Sequence, residues 1–230
     1  MACVHRGLAI DYIGVPLSHN KEGDAAYRAN IDLCKQWVDI ASFMGVPMVR
    51  SFGGQAAPGQ EAAAHARIVA SLKECAAHAE SKKVLLGLQN HNHGSMPATG
   101  EQVCRLLDDV GSRYLVGLMD TGQWKGSPGV GPKHNEGTPP GVSTPGHNYL
   151  EYIEQAAPRA VTIRAKFYRV GSGVELWLDY EKIVQVLKDV GFNGWVGIVY
   201  EGHGVDGVDA TEAVPLAAAH LRSLFAKHKL

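Results

Sequence analysis

The segment "LLGLQNHNHG" (residues 85–94) contains the feature that decides the fold. A short apolar run, typical of a buried strand, ends in successive hydrogen-bonding side chains, which are Gln89, Asn90, His91, Asn92 and His93. A surface turn seldom needs so many amide and imidazole groups in a row. We therefore interpret the segment as a buried strand whose C-terminal end carries binding or catalytic groups.

Strand-like and helix-like segments alternate on both sides of this stretch. The predicted strands cover residues 7–15, 47–54, 83–90, 114–121, 159–167 and 194–202. The predicted helices cover residues 23–45, 60–80, 100–109, 149–156, 179–192 and 211–227. Such alternation is typical of a parallel sheet built from βαβ units. No GxGxxG or GxxxxGK[ST] motif follows the first strand, which weakens the interpretation as a nucleotide-binding open sheet.

Polar side chains gather where the predicted strands end. They are Arg50, Gln89 to His93, Asp120, Arg164 with Lys166, and Glu201. Active sites of β/α barrels are assembled at this edge of the sheet from the ends of several strands. The sequence therefore predicts a single TIM-type (β/α) barrel domain over residues 1–230, with about six recognisable strands where a complete barrel has eight.

Composition and charge restrict the function. The chain has 230 residues and a formal net charge of −1, which leaves no basic surface for nucleic acid or an anionic membrane. No apolar run reaches the roughly 18 residues of a transmembrane helix, and the N-terminus lacks a signal-peptide pattern. The four cysteines are widely spaced, as expected for free thiols. We expect a cytoplasmic protein.

A long loop interrupts the pattern after the fourth predicted strand. Between residues 126 and 146, eleven of 21 residues are Gly or Pro. Loops this long inside a compact domain are usually functional or disordered. The sequence does not distinguish a lid over the mouth of the barrel from a tolerated surface insertion.

The motifs "GLQNHNHG", "GLMDTGQW", "RAKFY" and "VYEG" together resemble the sugar phosphate isomerase/epimerase family. These are xylose-isomerase-like TIM barrels, relatives of inosose dehydratase and of ketose 3-epimerases. The resemblance runs from about Gly7 to the C-terminus and implies that the first two βα units of the family are missing. Because an incomplete barrel has open strand edges, which promote association, we expect a homo-oligomer.

The resemblance also implies a divalent metal, Mn²⁺, Mg²⁺ or Zn²⁺, held by two glutamates, an aspartate and a histidine. Asp120 matches the aspartate, Gln89 replaces the first glutamate, and Glu201 lies two residues beyond Val199, which aligns with the last one. Thr162 occupies the position of the histidine. A carboxamide can coordinate a hard cation but brings no charge and cannot act as a base. We assign Asp120, Gln89 and Glu201 as candidate metal ligands.

Roles for the other polar residues follow from the same resemblance. Glu201, His91 and Lys166 are the candidate catalytic residues, whereas salt bridges at the barrel rim are the structural alternative for Lys166 and Arg164. The candidate substrate-binding residues are Arg50, Gln89, Asn90, His93, Arg164 and Trp124. For Trp124 the alternatives are stacking on a sugar and packing in the core.

The function that these roles favour is an enzyme, an isomerase or epimerase of a sugar or related polyol ketone. It would act by metal-assisted proton transfer next to a carbonyl. A non-catalytic or partner-dependent sugar-binding barrel is one alternative. A metal-dependent lyase or dehydratase is the other.

Overall fold

The computed structural model describes residues 2–130 and 139–230. Six parallel strands form one sheet in the order β1-β2-β4-β6-β7-β8. The strands are β1 Ile13–Ser18, β2 Met48–Phe52, β4 Leu85–Gln89, β6 Leu115–Asp120, β7 Ala160–Phe167 and β8 Trp195–Tyr200. A two-stranded antiparallel ribbon, β3 Gly54–Gln55 with β5 Ser95–Met96, lies beyond the ends of β2 and β4.

Helices connect successive strands of the sheet, and one helix precedes the first strand and one follows the last. They are α1 Ala2–His5, α2 Asp24–Met44, α3 Glu61–Lys82, α4 Gly100–Val110, α5 Tyr149–Ala156, α6 Tyr180–Asp189 and α7 Ala210–His228, with a 3₁₀ turn at Ala157–Arg159. Local signals set several of their ends. Thr99 caps α4 by accepting a hydrogen bond from the Gln102 amide at 3.3 Å. Gly45 ends α2 in the left-handed conformation, at φ 70°.

The predicted elements agree with the structure, apart from the first strand. The sequence predicted a strand at residues 7–15, but β1 begins at Ile13 and continues to Ser18. Apolar alternation in "GLAIDYIGV" misled this prediction, because Leu8 and Ile10 are exposed. Pro16 lies inside β1, which an edge strand tolerates because one side of it forms no ladder hydrogen bonds.

The sheet curves into a half-barrel with a gap between β8 and β1, which confirms the incomplete barrel. One face of the sheet packs on the helices, and the other faces the open lumen. The residues just before β1 reach across this lumen to β7. Asp11 accepts a hydrogen bond from the Thr162 hydroxyl at 3.1 Å, and the Tyr12 hydroxyl accepts one from Arg164 at 2.5 Å.

The Gly/Pro-rich loop at 126–146 includes residues 131–138, which lie outside the described part of the chain. Its two flanks are held beyond the end of β6. The Ser127 hydroxyl donates to the Gly122 carbonyl at 2.6 Å, and the Thr144 amide donates to the Gly126 carbonyl at 2.9 Å. Over the described ranges, no helix is long and apolar enough to cross a membrane.

Candidate functional site

Asp120 lies at the centre of a polar cluster at the C-terminal ends of the strands. Its side chain is completely buried at the end of β6. The Oδ2 atom is 3.2 Å from Arg164 Nε and 3.4 Å from Lys166 Nζ, and Oδ1 accepts a hydrogen bond from the Gly122 amide at 3.1 Å. A buried carboxylate needs such partners to offset the loss of its hydration.

The register of the strands brings these groups together. Asp120 pairs with Arg164 across β6 and β7, so the next inward-facing residue of β7 is Lys166. Lys166 is 1% exposed and donates a hydrogen bond to Glu201 Oε1 at 2.5 Å. Glu201 follows β8, and its own amide donates to the Phe167 carbonyl at 2.8 Å. The Lys166 ammonium therefore lies between the two carboxylates of the cluster.

Gln89 joins the cluster from the end of β4, and its amide has one orientation. Nε2 donates to Asp120 Oδ2 at 3.3 Å, whereas Oε1 accepts from Arg50 Nη1 at 3.3 Å. The opposite orientation would place the amide oxygen against a carboxylate and the amide N–H groups against a guanidinium. The charges on its two sides therefore fix the Gln89 side chain.

Asn90 ties the ends of β4 and β6 together. Its Nδ2 atom donates to the Asp120 carbonyl at 2.9 Å, and its Oδ1 atom accepts from the Asp120 amide at 2.8 Å. The side chain is fully buried. These two bonds fix the backbone that presents the Asp120 carboxylate, which makes Asn90 a positioning residue in this structure.

Two guanidinium groups approach each other in the lumen, and their surroundings shift their pKa values in opposite directions. Burial and the nearby charge of Arg164 lower the pKa of Arg50. Burial also lowers the pKa of Arg164, but the charge of Asp120 and the contact with Tyr12 outweigh it, so that the net shift is upward. Arg164 therefore contacts its counter-charge directly, whereas for Arg50 the charge of Asp120 offsets the lowering of the pKa only in part.

The residues at this site do not fit the divalent metal that the sequence resemblance implies. Asp120 already contacts two cations, Gln89 presents an N–H group to it, and Glu201 is bonded to Lys166. Hard cations need several convergent oxygen ligands. Within residues 2–130 and 139–230, no group of three or more His, Cys, Asp or Glu side chains is arranged to hold a metal ion. The Lys166 ammonium supplies positive charge between Asp120 and Glu201 instead.

Thr162, the expected counterpart of a histidine ligand, does not lie beside Asp120. It pairs with Leu118, two residues earlier in β6, and its hydroxyl bonds to Asp11. The inward-facing β7 residue next to Asp120 is Arg164. Thr162 therefore contacts Asp11 and not the Asp120 carboxylate.

His91 and His93 lie on the other side of the mouth, beyond β2. Their rings pack edge to face with centroids 4.5 Å apart, and the His91 ring also contacts Phe52 at 5.3 Å. His91 helps to line a cavity of about 800 Å³ between the ends of β1 and β2 and the starts of α2 and α3. Asp120 and Lys166 do not line this cavity.

Trp124 is completely buried, with its ring centroid 6.2 Å from that of Tyr152. Its carbonyl accepts a hydrogen bond from Asn92 at 3.3 Å. No face of the indole is open to a ligand, so the packing alternative describes Trp124 in this structure.

The sequence interpretation missed three residues of the site. Asp11 and Tyr12 reach β7 from the segment before β1, and burial raises the pKa of Asp11 although the Thr162 hydroxyl partly offsets this. No local pattern indicates such a contact. Phe52, whose ring lies 4.8 Å from the Arg50 guanidinium carbon, could have been found, because it follows Arg50 at the spacing of one face of a strand.

Residues 2–224 match the family model described as a xylose isomerase-like TIM barrel. The chain belongs to this family. A comparison with curated protein sequences gave no match.

Solved structures with the same fold include a D-tagatose 3-epimerase-like protein, with a TM-score of 0.75 and 14% sequence identity, covering 99% of this chain and 81% of that one. An L-ribulose 3-epimerase has a TM-score of 0.70 and 17% identity, with 99% and 77% covered. A xylose isomerase-like TIM barrel protein from Mycobacterium smegmatis in complex with magnesium has a TM-score of 0.65 and 17% identity, with 96% and 76% covered. These similarities show the fold.

Proposed function

We propose that the chain is an isomerase or epimerase of a sugar or related polyol ketone, acting through proton transfer at a carbon next to a carbonyl. The observation that carries this proposal is the chain of contacts at the C-terminal ends of the strands, which runs from Glu201 through Lys166 and Asp120 to Arg164. A carboxylate and a guanidinium in one such cluster provide a base and an electrostatic partner for the oxygen that becomes negative. The family and the sugar epimerases among its structural neighbours support the same class of reaction.

Glu201 is the proposed base. Its side chain is 34% exposed, whereas the Asp120 side chain is completely buried. The Glu201 carboxylate takes the proton from the carbon next to the carbonyl, the electron pair of that C–H bond forms a C=C bond, and the π pair of the C=O bond shifts onto the carbonyl oxygen. Arg164 stabilises the resulting enediolate. Isomerisation ends when Glu201 returns the proton to the former carbonyl carbon and a proton passes from the hydroxyl oxygen to the former carbonyl oxygen.

Lys166 is too deeply buried to contact the substrate first, so we assign it a positioning role through its bond to Glu201. A single accessible carboxylate is enough for isomerisation, because the proton leaves and returns on the same face of the substrate. Epimerisation also needs a proton carrier on the opposite face, and His91 is the candidate for that role. The residues of the site do not supply a ligand set for a divalent metal, and the proposed proton transfers do not require one.

Deuterium exchange tests the proposed function. Ketoses such as D-fructose, D-tagatose and L-ribulose are incubated with the protein in D₂O, and NMR follows exchange at the carbons beside the carbonyl. We expect exchange that slows by about 10²- to 10⁴-fold in Glu201→Gln, the usual contribution of a general base. Glu80→Gln, on the surface of α3, is the matched control and should exchange like the parent protein. An unchanged rate in Glu201→Gln would contradict the assignment.

Sugar binding without catalysis is the second candidate. The observation in its favour is that both carboxylates of the cluster are bonded to Lys166. Calorimetric binding of a ketose with no deuterium exchange in the same sample would establish this alternative and exclude the enzyme.

A further inference from the structure

The cations of the cluster at the mouth of the half-barrel are paired unequally. Arg164 and Lys166 share Asp120, and Lys166 also pairs with Glu201. A third carboxylate, Asp11, is bonded to the Thr162 hydroxyl. Arg50 differs from the other two cations because it contacts none of these carboxylates.

Arg50 has no carboxylate within ion-pair distance among the described residues. Its polar contact is Gln89 Oε1 at 3.3 Å, and its guanidinium lies over the Phe52 ring. The Nε atom is buried and has no hydrogen-bond partner within the described ranges. The Arg164 charge nearby lowers the pKa of Arg50 in addition to the effect of burial. Such a group gains strongly from a negatively charged partner.

The chemistry of this arrangement selects the ligand. Guanidinium groups bind carboxylate and phosphate groups through paired N–H donors. A divalent cation would add positive charge next to a guanidinium that has no contacting carboxylate among the described residues. We propose that the mouth of the half-barrel binds a polyhydroxylated ligand through an oxyanion, a carboxylate or a phosphate, which Arg50 and Arg164 hold without a metal ion. This inference rests on the proposed function, since it names the substrate class of the same site.

The test uses three probes that differ in charge. D-fructose is neutral, D-fructose 6-phosphate carries the same sugar with a phosphate, and D-gluconate carries a carboxylate. Isothermal titration calorimetry measures their binding to the whole chain, in EDTA and again in Mn²⁺ and Mg²⁺. The variants are Arg50→Gln, which keeps an N–H donor for Gln89, and the control Arg105→Gln, which removes an exposed arginine of α4 that lies beside Asp109.

We expect at least one anionic probe to bind tenfold or more tightly than D-fructose, to the same extent with EDTA or metal. Phosphate-selective binding would identify a sugar phosphate, and gluconate-selective binding a sugar acid. Arg50→Gln should weaken this binding at least tenfold, and Arg105→Gln should not. Thermal unfolding checks that Arg50→Gln folds. It should be as stable as the parent protein or more stable, because the variant removes a half-buried cation that has no contacting carboxylate among the described residues.

The inference is overturned if D-fructose binds as tightly as both anions, if binding needs added metal, or if Arg105→Gln weakens it as much as Arg50→Gln. Near-stoichiometric Mn, Mg or Zn in protein purified without chelator or histidine tag, lost in Asp120→Ala, would also overturn it. Anion-selective binding without deuterium exchange would contradict the enzyme alone. Exchange of a neutral ketose without anion preference would contradict this inference alone.

Discussion

Lys166 holds the cluster together at the scale of single residues. Its ammonium is within 3.4 Å of Asp120 and 2.5 Å of Glu201. Ion pairs buried this deeply are costly to break, because the remaining charge keeps its desolvation penalty without its partner. The electrostatic balance around Asp120 should therefore be visible in the stability of the protein as well as in ligand binding.

We expect Asp120→Asn to lower the free energy of unfolding by about 3–5 kcal/mol, since Arg164 and Lys166 would lose their shared carboxylate. Urea denaturation at neutral pH measures the change. Asp108→Asn is the matched control, because Asp108 forms an exposed pair with Arg159 on the outer surface, and it should cost less than about 1 kcal/mol. Equal costs in the two variants would contradict the buried pair.

The polar strand ends were predictable from the sequence, but the contacts between them were not all predictable. Asp120, Arg164 and Lys166 could be placed together, because parallel strands end at the same edge of a sheet. The contacts of Asp11 and Tyr12 with β7 join residues 151 and 152 positions apart. Local periodicity contains no signal for such a pair, and the same apolar pattern misplaced the start of β1.

At the scale of the elements, close packing between β6 and β7 depends on a glycine. An added Cβ at Gly122 would lie 2.6 Å from Lys166 Cγ and 2.8 Å from the Tyr168 hydroxyl. The Lys166 side chain would then have to move away from Asp120. The turn after β6 thus sets the space in which the cluster forms.

Gly122→Ala should destabilise the fold by about 1–3 kcal/mol, the usual cost of overpacking, and should weaken binding of the anionic probes. Gly197→Ala on β8 is the control, because the nearest atom to its added Cβ would be 4.0 Å away. Thermal unfolding and calorimetry on both variants measure the effects. A fully stable Gly122→Ala that binds normally would contradict the close packing.

The contact between α2 and α3 predicts a dependence of stability on pH. Hydrogen bonds from Arg28 and Lys35 lower the pKa of Glu74 from 4.5 to about 2. The stabilisation is therefore fully present above pH 4.5 and is lost as the pH falls towards 2. Glu74→Gln should be less stable than the parent protein at pH 7, by no more than about 1 kcal/mol.

Urea denaturation at pH 7 and pH 3 compares the parent protein with Glu74→Gln. The difference between them should shrink at the lower pH. Glu154→Gln, on the exposed face of α5, serves as the control and should follow the parent protein at both values. A difference in the free energy of unfolding that grows on acidification would contradict the predicted pH dependence.

At the scale of the whole molecule, the half-barrel leaves β1 and β8 as open edges. Trp195 on β8 is 54% exposed, and Leu8 just before β1 is 58% exposed. Open edges of parallel sheets tend to pair with another chain. A second copy of the chain, with its own two open edges, is the partner that we expect.

Sedimentation velocity tests this expectation. The parent protein should sediment as an oligomer, and Trp195→Glu should shift it towards the monomer. Phe43→Glu is the control, because Phe43 is 93% exposed and lies on the helix α2, not on an edge strand. Dissociation by Phe43→Glu alone would place the contact on the helices instead.

The positive charge between Asp120 and Glu201 belongs to a side chain, Lys166, and this affects the conditions under which the site works. The Lys166 ammonium is part of the polypeptide, so every folded chain contains one. It cannot be stripped by a competing chelator, diluted away or replaced by the wrong ion. A site built on it keeps its electrostatics when manganese or zinc is scarce.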